Sequence, residues 1–159
     1  MQRLIKMCAA AMLLTGPIAM TPIAPAQAGT SDGVVTLDSH YSVDETVRKI
    51  KANVTAKGIK LFDDIDQAAL GNAAGNKVLP SRLILFGNPA LGTTFITANP
   101  TAGLDWPVRV LVYQAKDGGV HVAYTDFSWI ARRHGITNRV KEFNMATDVI
   151  QAVTTPVTQ

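Results

Sequence analysis

Hydrophobic residues follow two different spacings along this chain, and these spacings predict where helices and strands lie. Four apolar residues recur every three to four positions: Val43, Val47, Ile50 and Val54. This spacing places them on one face of a helix. Ser42 and Glu45 at its start are typical of a capping box, in which each side chain bonds a free backbone N–H group. The pattern therefore predicts a long first helix that begins after Ser42 and ends near Gly58.

Shorter apolar or alternating runs predict five strands. They cover residues 34–37, 59–65, 83–86, 108–114 and 120–125. The third run is apolar at every position, which indicates a strand that is central in the sheet or covered on both faces. Asp117 and Gly118 join the last two runs and are typical of a type I′ hairpin turn.

Further helices are predicted between the strands and after them. Asp66, Asn88 and Asp126 each precede a helical segment as candidate N-caps, and Pro89 suits the first position of a helix. The last helix begins near Val140 and is expected to stop at Pro156. This order of elements predicts an α+β two-layer sandwich with a mostly antiparallel sheet and helices on one face. We expect one domain over residues 34–155, followed by a tail over residues 156–159.

The first 28 residues are typical of an export signal. Arg3 and Lys6 precede an apolar run, and Ala26-Gln27-Ala28 has the small-x-small form of a cleavage site. Gly16-Pro17 interrupts the run before it reaches the roughly 20 apolar residues that a membrane helix needs. We therefore predict a signal peptide over residues 1–28, cleaved without stable membrane insertion, and a flexible leader over residues 29–33. The alternative is that the segment stays uncleaved as an anchor. The expected location is the periplasm, with secretion as the alternative.

Removal of this segment changes the charge and the available chemistry. Two of the fifteen basic residues and none of the twelve acidic ones are lost, so the formal net charge falls from +3 to +1. A nearly neutral domain attracts nucleic acid weakly, and no nucleic-acid partner is expected. Cys8, the only cysteine, is also lost, which excludes thiolate chemistry in the mature chain. The three histidines show no metal-ligand spacing, and neither a metal nor a cofactor is predicted.

Four ordered motifs resemble the Domain of Unknown Function 302 family over roughly residues 34–153. The first is Ile65-Asp66 with Ala68-Ala69, and three more follow it. They are Pro-Ser-Arg-Leu-Ile-Leu-Phe-Gly-Asn-Pro at 80–89, Gly-Thr-Thr at 92–94 and Leu-Asp-Trp-Pro-Val-Arg-Val-Leu-Val at 104–112. The resemblance implies a TATA-binding-protein-like β-α-β(4)-α shape with extra short helices, homodimer formation and no established reaction. Gln67 stands where family members commonly carry histidine. A family activity that used that imidazole would be absent here, because glutamine does not titrate.

The segment from Arg82 to Thr94 is the strongest candidate for a binding site. A strand that turns into a helix N-terminus can present free N–H groups to an anion, and Arg82 would add a fork of donors. The structural alternative is that Gly87 permits a tight turn, Asn88 caps the helix and the threonines pack. Asp66 has the same two interpretations, as a ligand-binding carboxylate or as an N-cap. The candidate ligand-binding residues are Asp66, Arg82, Gly87, Asn88, Thr93 and Thr94.

Three classes of function fit these observations. The first is a module that binds a small anionic or apolar ligand, in a pocket between the sheet and the loops at residues 87–94 and 103–107. The second is an enzyme of unknown reaction in which Asp66 or His134 acts as a base near Arg82. The third is an interaction protein that forms a homodimer through the hairpin edge at residues 120–124, because unpaired strand edges invite pairing. The sequence favours a binding or interaction module over an enzyme.

Overall fold

Five antiparallel strands form one sheet in the computed structural model, which describes residues 32–158. The strands are β1 (Val34–Ser39), β2 (Lys60–Asp66), β3 (Ser81–Gly87), β4 (Val108–Gln114) and β5 (Val120–Thr125), in the spatial order β1-β5-β4-β3-β2. The helices are α1 (Val43–Ala56), α2 (Gln67–Ala73), α3 (Pro89–Ala98), α4 (Phe127–Arg133) and α5 (Val140–Thr158), with a 3-10 helix at Pro100–Leu104. The predicted α+β sandwich, with its β-α-β(4)-α order and extra short helices, is confirmed.

The main hydrophobic core lies between the sheet and the two long helices, α1 and α5. Ile50 and Val54 of α1, Ile84 of β3 and Val153 of α5 are each 0% exposed. The helical spacing seen in the sequence therefore marks the face that α1 turns to the sheet. Burial of each such side chain stabilises the fold by about 1.5–3 kcal/mol.

The predicted N-caps account for where the helices begin. The side chains of Ser42, Asp66, Asn88 and Asp126 each accept a hydrogen bond from a backbone N–H group in the first turn of α1, α2, α3 and α4. Glu45 departs from the prediction, because its carboxylate is bound by Arg48. Only the serine half of the capping box is therefore present in the described residues.

The hairpin of β4 and β5 forms as predicted, but it offers no free edge for a partner chain. β5 pairs with β4 on one side and with β1 on the other, so the edge strands are β1 and β2. The expectation that residues 120–124 form an unpaired strand edge is therefore wrong, whereas homodimer formation stays a prediction. The turn also differs from the predicted type I′, because Gly118 has φ +93° and no described non-glycine residue has positive φ. The backbone hydrogen bonds of the turn fit a three-residue loop whose last residue is a glycine in the left-handed conformation.

The last helix continues through Pro156 to Thr158, so the expected stop at Pro156 and the tail after it are wrong. Proline removes one helical hydrogen bond, yet the next residue is held by tertiary packing. Val157 is 0% exposed, and its carbonyl oxygen accepts a hydrogen bond from His40 N. Packing of the final turn against the start of the domain outweighs the local cost of the proline.

Arg82 lies in an ion cluster that ties β2 and β3 to α1. Its guanidinium donates two hydrogen bonds to Asp64, at 3.0 and 2.7 Å, and Lys51 of α1 donates to the same carboxylate at 2.8 Å. Burial acts to raise the pKa of Asp64, but the hydrogen bonds and charges of Lys51 and Arg82 outweigh it and lower that pKa. Asp66 lies at the margin of this cluster, 4.0 Å from Arg82. The arginine is therefore occupied by a partner within the fold.

This lowered pKa predicts that Asp64 stabilises the fold at neutral pH and ceases to do so in acid. A carboxylate whose pKa is lower in the folded state contributes fully above its unfolded pKa of about 4, and the contribution disappears as the pH falls through the folded pKa. We expect Asp64→Asn to lose about 1–3 kcal/mol of unfolding free energy at pH 7. The deficit should shrink below pH 4, as measured by urea denaturation.

Asp63→Asn is the matched control, since Asp63 is exposed and its Oδ1 bonds only the neighbouring backbone within the described residues. Equal destabilisation by the two variants at pH 7 would contradict the assigned role of the cluster.

The buried end of α5 gives a second prediction. Val157→Ala removes two methyl groups from a fully buried position and should lower the unfolding free energy by about 1–3 kcal/mol. Val140→Ala, at the other end of the same helix, is the control because Val140 is 66% exposed. Chemical denaturation of both variants compares the two ends. If Val157→Ala were as mild as the control, the last turn of α5 would not be part of the core.

Candidate functional site

A pocket of about 340 Å³ opens between one end of the sheet, α3, the 3-10 helix and α5. Sixteen of its twenty lining residues are apolar when glycine is included. Five of them are aromatic, namely Phe86, Phe95, Trp106, Phe127 and Phe143. Volumes of about 300–1,000 Å³ with mainly apolar walls and few polar groups are typical of small-molecule sites. The pocket lies between the two segments, 87–94 and 103–107, where the sequence predicts one.

Trp106 forms one wall of this pocket and lies directly against two glycines. A Cβ atom on Gly87 would lie 2.0 Å from the indole, and one on Gly92 would lie 2.1 Å from it. Gly87 has no positive φ, so the tight turn expected from the sequence does not explain it. Both positions are glycine because the indole ring occupies the space that a side chain would fill.

Asp105, the residue before Trp106, is anchored by three basic side chains. Its carboxylate is 4% exposed and accepts hydrogen bonds from Arg109 of β4 at 2.8 Å and from Arg133 of α4 at 3.1 Å. His134, which follows α4, contacts it through Nε2 at 2.7 Å. A buried carboxylate needs such partners, because an unpaired buried charge is strongly destabilising. The cluster fixes the backbone that positions Trp106 in the pocket wall.

The contacts of His134 continue to the 3-10 helix. Its Nδ1 lies 2.9 Å from Thr101 Oγ1, and Asn99 donates a hydrogen bond from Nδ2 to the His134 carbonyl at 2.8 Å. Hydroxyl, imidazole and carboxylate therefore form a continuous chain. This series of contacts joins the 3-10 helix to the end of α4. Two guanidinium groups also bind the carboxylate of Asp105, so we interpret the contacts as structural.

The six residues predicted to bind a ligand do not form one site. Gly87 and Asn88 line the pocket, whereas Asp66 and Arg82 belong to the ion cluster under α1. The hydroxyl groups of Thr93 and Thr94 donate to the carbonyls of Pro89 and Leu91 in their own helix.

The two predicted bases, Asp66 and His134, also lie in different clusters. Asp66 caps α2 and borders Arg82, whereas His134 contacts Asp105. The structure therefore does not assemble His134 with Arg82 in the arrangement that the sequence suggests.

Sequence reasoning missed Asp105 and most of the pocket wall. Asp105 and His134 are 29 positions apart, and no local spacing connects them. The signal that was available is the Asp-Trp-Pro motif, in which an acidic residue and an indole follow each other at the end of a helical segment.

The mouth of the pocket carries charges of both signs. Lys57, Met145 and Asp148 line the pocket and are exposed. Within residues 32–158, neither Lys57 nor Asp148 belongs to an ion pair. The interior is mainly apolar while the entrance is polar, an arrangement in which a few polar groups can orient a largely apolar molecule.

No helix within residues 32–158 combines the length and the apolar character needed to cross a membrane.

Comparison with curated proteins and solved structures adds three similarities. The proteins named Fluoride-specific ion channel FluC 1 in Brucella suis and Brucella abortus are each 36% identical to this chain over 104 residues. That region is 65% of this chain but 41% and 38% of the two relatives, so the chain spans about two fifths of their length. A crystal structure of an uncharacterized conserved DUF302 protein from Bacillus stearothermophilus superposes with a TM-score of 0.63 at 16% identity.

The superposition covers 79% of this chain and 95% of the Bacillus chain, and so shows the same fold. The family described as Domain of unknown function DUF302 matches residues 35–153, which is most of the chain. On this match, the chain belongs to the DUF302 family.

Proposed function

We propose that this protein is an exported module that binds a small, largely apolar molecule in the pocket between the sheet, α3 and α5. The observation that carries the proposal is the pocket itself, about 340 Å³ of space enclosed mainly by apolar side chains. A volume of this size with mainly apolar walls is typical of a small-molecule site. A ligand would restore the contacts that the lining residues lack.

The alternative of an anionic ligand has less support. Arg82, the residue expected to bind an anion, donates two hydrogen bonds to Asp64 and borders Asp66. An incoming anion would have to compete with these carboxylates. The apolar pocket faces no such competition, so it is the better candidate for the binding site.

The Brucella relatives suggest a setting for such a module. Their name describes a fluoride-specific ion channel, yet this chain matches only about two fifths of their length. The described residues form a folded domain without a membrane-crossing helix. We propose that the region shared with those proteins is a ligand-binding domain.

Ligand binding predicts thermal stabilisation that depends on the pocket volume. A ligand at ten times its Kd adds about 1.4 kcal/mol, which raises the Tm of a domain of this size by roughly 4–8 °C. We expect such a shift from members of a panel of small apolar molecules, measured by differential scanning fluorimetry. Inorganic phosphate and acetate serve as the anionic arm and should give no comparable shift.

A variant that fills the pocket tests the location. Ala146 lines the pocket and is 5% exposed, so Ala146→Phe should occupy the space and abolish the shift. Ala52→Phe adds the same ring to an exposed position of α1 away from the pocket and should leave the shift intact. Absence of any shift in the unmodified protein, or an unchanged shift in Ala146→Phe, would refute the proposed site.

Export is tested separately. The segment over residues 1–28 lies outside the described residues, and its role is part of the proposal. When the full chain is expressed in a Gram-negative host, mass spectrometry of the periplasmic fraction should show a mature protein that begins at Gly29. Ala28→Arg, which breaks the small-x-small pattern, should leave the precursor uncleaved. Recovery of the unprocessed chain in the cytoplasm alone would contradict export.

A further inference from the structure

The aromatic residues of this chain are concentrated around the pocket. Four of its five phenylalanines and one of its two tryptophans line it: Phe86, Phe95, Phe127, Phe143 and Trp106. The fifth phenylalanine, Phe62, packs edge-on against Trp106 with ring centroids 6.3 Å apart. Five of the twenty residues that line the pocket therefore carry an aromatic ring.

These rings are held in fixed positions by their neighbours. Phe95 and Phe143 stack with centroids 4.3 Å apart and an interplanar angle of 28°. Trp106 lies against the backbone of Gly87 and Gly92 with no space for a Cβ atom on either residue. A planar ring in contact with these side chains gains stacking and edge-to-face contacts beyond simple burial.

The buried polar side chains of the described residues already have hydrogen-bond partners. Both oxygens of Asp105 are bound by Arg133, and Arg109 and His134 add further contacts. Within residues 32–158, no buried side-chain nitrogen or oxygen lacks a hydrogen-bond partner. A ligand that placed a polar atom deep in the pocket would lose its bound water without a replacement. Polar substituents therefore belong at the mouth, where Lys57 and Asp148 are exposed.

From the five aromatic rings in the wall and the paired state of the buried polar groups, we infer that the ligand is a planar aromatic molecule whose buried part is uncharged and whose polar substituent lies at the mouth. This inference rests on the proposed function, because it specifies the ligand class of the same pocket. It distinguishes a flat aromatic body from a saturated hydrocarbon of similar size, which would gain the same burial without the contacts between rings.

Two matched molecules separate these classes. Naphthalen-2-ol and decahydronaphthalen-2-ol have the same carbon count and the same single hydroxyl group, but only the first is aromatic. Isothermal titration calorimetry of the protein with each gives the ratio of their Kd values. We expect the aromatic molecule to bind roughly twofold to tenfold more tightly for each ring pair it forms.

Variants connect this ratio to the rings of the pocket. Phe143→Leu keeps an apolar side chain but removes one stacked ring, so it should lower the ratio by roughly twofold to tenfold while the saturated molecule still binds. Tyr113→Leu removes a ring of β4 that lies beside His121 of β5, away from the pocket. This variant should leave the ratio unchanged. If Phe143→Leu fails to fold, Phe127→Leu replaces it, and the ratio in the unmodified protein remains informative.

The possible outcomes separate the two proposals. Preferential binding of naphthalen-2-ol that weakens in the phenylalanine variant supports the aromatic ligand class. Equal or tighter binding of decahydronaphthalen-2-ol, abolished by Ala146→Phe, overturns that class but leaves the apolar-ligand function standing. No binding of either molecule to the folded protein counts against both. A ratio that falls equally in Tyr113→Leu contradicts the assignment to the pocket rings.

Discussion

The pocket depends on one buried charge, the carboxylate of Asp105. Only 4% of its side chain is exposed, so the charge needs partners within the fold. Arg109 of β4, Arg133 of α4 and His134, the residue after α4, all bind it. Loss of these basic partners would leave the carboxylate charge of Asp105 buried without compensation. The network thus fixes the end of the 3-10 helix, and through it the position of Trp106, which follows directly in the chain.

From this anchor the shape of the pocket can be understood. The indole occupies the space beside Gly87 and Gly92, while small residues on the facing elements, Ala102 and Ala146, leave the middle unfilled. Larger residues at these positions would close the pocket and strengthen the core by filling space. The fold therefore forgoes some packing energy at this end, whereas the region under Ile50 and its neighbours is fully packed. Functional sites commonly carry such a local cost in stability.

Most of the fold could be predicted because it depends on local rules. The helical spacing around Ile50 and the caps at Asp66, Asn88 and Asp126 act within a few residues, and all are present in the structure. The alternation of apolar and polar residues predicts a strand but not its place in the sheet. Nothing in residues 120–125 therefore showed that β5 would lie between two other strands. The helix through Pro156 depends on packing of the following valine.

Most of the site could not be predicted, because its contacts join residues that are distant in the sequence. Arg82 offers a fork of donors in the sequence, but only the folded chain shows that Asp64 and Lys51 form a cluster with it. Likewise, Asp105 and His134 meet through tertiary structure alone.

The comparison with the Bacillus structure separates what maintains the fold from what defines the pocket. A TM-score of 0.63 at 16% identity shows that the sandwich persists when most residues differ, since it requires only apolar positions at the right spacing. The contact of Trp106 with two glycines is a stricter requirement, because each position excludes every residue that has a Cβ atom unless the indole moves. Function belongs to sites and not to folds. The proposed binding function therefore depends on the Gly87, Gly92 and Trp106 wall together with its Asp105 anchor.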